Sequence, residues 1–159
     1  MLSGDELPYA GDFWNALRNK KSLNCYDYAF GNADPTQAEF TQPLERAPSD
    51  DLYSCSSVEA GMMRQNPGTR KVDFETPCKP GERKITLMVD PIAPSDYHFM
   101  RQDSDGVWSH KPGFTDVRRT DASGAVIHAP HLSNRAYDGF DYEDMCGYYC
   151  IDAFANHSR

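Results

Sequence analysis

Three residues of this 159-residue chain carry side chains suited to nucleophilic chemistry: Cys25, His98 and His110. A thiol attacks as thiolate, and its ordinary pKa near ~8.5 falls beside a helix N-terminus or a histidine. Cys25 lies in "SLNCYDYAFG", residues 22–31. There Ser22 or Asn24 is a suitable N-cap, Asp27 stands three residues after Asn24 as a capping-box partner, and Gly31 suits the left-handed C-terminal position. The spacing predicts a short helix with Cys25 in its first turn. On this reading the helix start supplies partial positive charge and free N–H groups for an oxyanion, His98 accepts the thiol proton, and His110 orients His98. The plainer alternative is a buried thiol packed as a small hydrophobe, with both histidines tied to local backbone.

The two histidines depend on a hairpin. "DYHFMRQDSDGVWSH" has strand-like arms around Asp103-Ser104-Asp105-Gly106, a sequence suited to a type I turn followed by a left-handed glycine. With Asp103 facing Val107, the ladder sets Met100 opposite His110. Since alternate residues share a face, His98 and His110 then point to the same side. A one-residue slip would separate them.

Other elements must hold this hairpin against the helix. Asp12 is positioned to cap a first helix, "FWNALRNKK", with Phe13, Trp14 and Leu17 on one face. Residues 32 to 82 contain six prolines and read mostly as loop, with one helix near Ser56 to Arg64. "KITLMVD" reads as a buried strand, "DASGAVIHAP" as a short strand after Gly124, and "CGYYCID" as a last strand. Helices first and antiparallel strands after predict a single α+β domain over residues 1–159.

The totals narrow the partners. A net charge of −8, with no Lys/Arg run longer than two, leaves nucleic acid without its usual electrostatic footprint. No apolar run approaches the ~18 residues that span a bilayer, and the acidic N-terminus does not read as a secretory signal. Five cysteines allow two disulfides and one free thiol, or five free thiols; Cys55, Cys78, Cys146 and Cys150 are the bridge candidates, with pairing open. A zinc site from His98, His110 and a cysteine is a further reading.

A cysteine in the first turn of an early helix, a histidine on a strand and a polar residue on the next strand together resemble the papain-like superfamily. The closest likeness is to its NlpC/P60-type bacterial cysteine peptidases and amidases. The resemblance implies a papain-like α+β fold with Cys25, His98 and His110 as catalytic residues, Asn19 (six residues before the nucleophile) in the oxyanion hole, and no cofactor. It implies hydrolysis of amide or peptide bonds through a thioester, with peptide or peptidoglycan as substrate. It also implies a bacterial effector or toxin setting in the periplasm or target-cell envelope, with an inhibitor or immunity protein as partner. Two alternatives stand beside it: a protein deamidase or acyl transferase using the same dyad, and a non-enzymatic, disulfide-stapled binding module.

Overall fold

A computed structural model describes residues 2–32, 41–44, 48, 50 and 52–154. The class is α+β, as the order of elements predicts: short helices precede an antiparallel sheet. The helices are α1 (Gly11–Asn15), α2 (Leu17–Ser22), α3 (Cys25–Phe30) and α4 (Cys55–Gln65). The strands are β1 (Arg70–Val72), β2 (Glu82–Asp90), β3 (Asp96–Gln102), β4 (Trp108–Ser109), β5 (Ala136–Tyr137), β6 (Phe140–Asp141) and β7 (Asp144–Asp152). Five of them form one sheet in the order β1-β7-β2-β3-β4, and β5 pairs with β6.

Strand alternation divides the core. Ile85, Leu87 and Val89 of β2 and Tyr97 and Phe99 of β3 face α3 and α4, packing on Tyr26, Phe30, Val58 and Met62. Met88 and Met100 face the other way, onto Trp108, Ile127, Tyr142 and Tyr148. Covered on both faces, β2 is buried over eight of its nine residues, which explains its near-continuous apolar run.

Several local expectations meet the structure directly. The helix over Ser56 to Arg64 is α4, capped by Ser54. The first helix differs: it starts from Ala10 without a side-chain cap and breaks at Ala16, whose ψ of 135° is extended. Trp14 is buried while Phe13 is 47% exposed, so the two do not share a buried face. "DASGAVIHAP" makes no strand, only a bridge between Thr120 and Val126 after a left-handed Gly124. Within the stretch from 32 to 82, residues 33–40, 45–47, 49 and 51 lie outside the described residues, so the loop expectation is not addressed there.

The cysteines resolve into two bridges, Cys55–Cys146 and Cys78–Cys150, leaving Cys25 free and buried. Both bridges end on β7, one tying it to the start of α4 and the other to the loop before β2.

Candidate functional site

Helix α3 has only six residues and all of them are buried, so its unpaired backbone groups need partners from elsewhere. Asn24 and Asp27 form the predicted reciprocal capping box at its start, and Gly31 takes φ 70° at its end. Buried Arg83 donates to the carbonyls of Ala29 and Phe30, and buried Arg101 donates to that of Tyr28. Two guanidinium groups thus satisfy the carbonyl end of the helix, where positive charge is also favoured by the dipole. Lys111 does the same for the end of α2 and the turn before α3, donating to the carbonyls of Lys20 and Leu23, and it also donates to that of Gly113 in its own loop. None of these buried cations is flagged by sequence pattern, because an Arg or Lys ordinarily reads as surface.

The hairpin has the predicted register. The Asp103 N–H donates to the Val107 carbonyl, Gly106 has φ 88°, and Gln102 pairs with Trp108. His98 and His110 are therefore neighbours, with Nε2 of His98 2.8 Å from Nδ1 of His110. The Nε2 of His110 lies 2.9 Å from the Thr120 carbonyl, which only accepts. His110 therefore carries its proton on Nε2 and accepts at Nδ1, and His98 donates from Nε2, leaving its Nδ1 as an unprotonated acceptor. Burial, with the His110 interaction second, pushes the His98 pKa well below its ordinary value, and burial brings His110 down to about 4. Both imidazoles are neutral at pH 7. With both nitrogens of His110 engaged, the predicted zinc site has no His110 ligand to use. Among the described residues the one group with metal-ligand spacing is Cys78, Glu82 and Cys150, whose sulfurs are joined to each other.

Cys25 and His98 line the same cavity, of about 650 Å³. They reach it from different sides of β3: Cys25 packs with Tyr97 and Phe99, whereas His98 stacks on Tyr142 with ring centroids 5.2 Å apart. Among the described residues no hydrogen bond joins the thiol to either imidazole. Burial, helped by the charge of Asp96, pushes the Cys25 pKa up to about 12, and a hydrogen bond with the Phe99 backbone offsets part of this. The result is a protonated thiol beside a neutral imidazole, where the sequence reading expects a thiolate. His110 stands behind His98, joined to it by a ring-to-ring hydrogen bond. Asn19 is elsewhere: its amide donates to the Phe13 carbonyl across the Ala16 break, and it does not line the cavity.

The walls of the cavity are aromatic. Tyr53 and Tyr97 meet edge to face at 5.1 Å, and Phe140 stacks near Tyr142 at 6.1 Å, with Tyr137 beside them. Asp96 accepts from the Tyr142 hydroxyl at 2.7 Å. Of these wall residues Tyr97 lies on β3; the others come from loops and from the small β5–β6 pair, where no periodicity marks them.

No protein-family model and no solved structure matches the chain. A curated protein does: the chain is 33% identical over 140 residues, 85% of its length and 83% of the relative's, to insoluble matrix shell protein 1 of Ruditapes philippinarum. This similarity overturns the expectation of a bacterial peptide hydrolase, with its peptidoglycan substrate, toxin setting and periplasmic location, since the relative is a shell-matrix protein of a mollusc.

Proposed function

The chain belongs to the family of insoluble matrix shell protein 1, and from this premise we propose that it is a non-enzymatic, disulfide-stapled binding module that works as a component of an insoluble extracellular matrix. The observation that carries the reading is the similarity over most of both chains. The two disulfides support it, because such bridges form and persist in oxidising, mainly extracellular, surroundings. The state of the cavity supports it as well: a protonated thiol and a neutral imidazole with no bond between them hold a shape without being primed for attack. In this reading the long cavity-lining loops carry recognition and the bridges hold them in place.

The test is retention. Oxidised, folded protein carrying a fluorescent label is mixed with washed insoluble shell matrix, and the bound fraction is measured before and after thiol reduction. Saturable retention that falls on reduction is expected. Oxidised protein that stays wholly in the supernatant, or that releases soluble peptides from the matrix catalytically, would sink the proposal.

A further inference from the structure

The cavity lining offers acceptors and aromatic faces; the Lys111 ammonium stands behind its wall, engaged by the carbonyls of Lys20, Leu23 and Gly113. The charged lining residues among those described are Asp96 and the exposed Asp138; no Lys or Arg lines the cavity. Asp96 forms no ion pair with any described residue, and its carboxylate is held by the Tyr142 hydroxyl instead. Asp96 is half-buried, and a carboxylate partly removed from water with no cation beside it is under-compensated, so the site favours a positively charged ligand. A second, independent feature points the same way. His98 is 3% exposed, and its tautomer, set by His110 and Thr120, leaves Nδ1 as an acceptor without a partner among the described residues. The buried hydroxyl of Tyr137, also in the lining, likewise has no hydrogen-bond partner among the described residues.

What fits such a site is a cation that donates several hydrogen bonds and tolerates aromatic faces. Ammonium and guanidinium groups do both, being attracted by the ring quadrupole and pairing with carboxylates. Anions are excluded by the two carboxylates. A neutral sugar would stack on the rings but leave the Asp96 charge uncompensated. The overall charge of −8 steers basic partners toward the molecule.

We propose that this cavity receives the lysine or arginine side chain of a basic protein segment. The proposal rests on the binding-module reading and names the partner chemistry for that module's site. Asp96 takes the charge, the tyrosine and phenylalanine rings flank the aliphatic stem, and Nδ1 of His98 accepts one of the cation's N–H bonds.

The experiment uses the full oxidised chain and follows backbone amide resonances by NMR during titration with end-blocked Gly-Gly-Lys-Gly-Gly. Parallel titrations use its arginine counterpart, its Nε-acetyl-lysine counterpart and a neutral oligosaccharide. The lysine or arginine peptide is expected to shift the resonances of cavity residues. Acetylation, or Asp96→Asn in the protein, is expected to weaken binding by about tenfold or more, as loss of a charge-assisted contact does. Asp138→Asn, at an exposed position that leaves the fold intact, is expected to weaken it about threefold and to lessen its salt dependence. Equal binding of the acetylated peptide or of the oligosaccharide at the cavity would overturn the cation assignment while leaving the binding module standing. Absence of any shift at the cavity would overturn it too, and matrix retention would then judge the module separately.

Discussion

At the scale of single residues, the decisive fact is that three chemically capable side chains are each held in their uncharged form. The buried Cys25 thiol, with its pKa near 12, is almost wholly protonated at pH 8, at roughly one thiolate in ten thousand molecules. Alkylation of Cys25 by iodoacetamide at pH 8 is therefore expected to be at least ~100-fold slower than that of a free thiol, and to become fast in urea. Peptide mass spectrometry checks this, and complete labelling of the folded protein within minutes would contradict it. The histidines make stability depend on pH. An imidazole whose folded pKa lies below its ordinary value of 6.5 contributes stability that is complete above 6.5. That contribution is lost as the pH falls, because the unfolded chain then binds protons that the folded one refuses. Between pH 6.5 and 5 the two imidazoles together are expected to remove up to ~2.7 kcal/mol per pH unit. Asp96, whose pKa burial raises, opposes this slope from the acid side by taking up a proton in the folded state. Urea midpoints across that range measure the slope, and His110→Asn should roughly halve it.

At the scale of elements, α3 and α4 show how short helices are made definite by what surrounds them. α3 owes its ends to one capping box and two buried arginines rather than to intrinsic propensity, since six residues are too few to hold a helix alone. In α4 the contact is closer still. A Cβ added at Gly61 would stand 2.1 Å from the Pro43 carbonyl oxygen and 2.9 Å from Leu44 Cδ2. Gly61→Ala favours the helix by ~1 kcal/mol in isolation, yet here it forces the 41–44 segment away. A net loss of about 1–3 kcal/mol is expected, read from the urea midpoint. Gln42 lines the cavity, so the same substitution should also disturb ligand-induced shifts there.

At the scale of the whole molecule, β7 is the strut on which both disulfides close. They join residues 91 and 72 positions apart, bringing the start of α4 and the loop before β2 onto one strand. Loop-closure entropy assigns about 4–5 kcal/mol to the first bridge closed over such a span, with less for a second that overlaps it. Reduction is expected to lower the unfolding free energy, read from the denaturant midpoint, by an amount of that order, whereas Cys25→Ser, which leaves both bridges in place, should cost far less. A reduced protein as stable as the oxidised one would show that the staples do not support the fold.

What the sequence by itself determined is local. The capping box at Asn24 and Asp27, the left-handed Gly31 and Gly106, the hairpin register that makes His98 and His110 neighbours, and strands β2 and β7 all follow from bonds and periodicities spanning a few residues. The α+β class follows from their order. Tertiary structure decided the rest: which cysteines join, that buried arginines cap α3, that Ala16 breaks the first helix, and that the thiol and the imidazole meet the cavity from different faces of β3 without a bond. The physical reason is that ionisation, pairing and enclosure depend on residues brought from far along the chain, as in Cys25 with Asp96 and Cys78 with Cys150. A nucleophile and a packed thiol share the same letters; burial and the charges around it tell them apart.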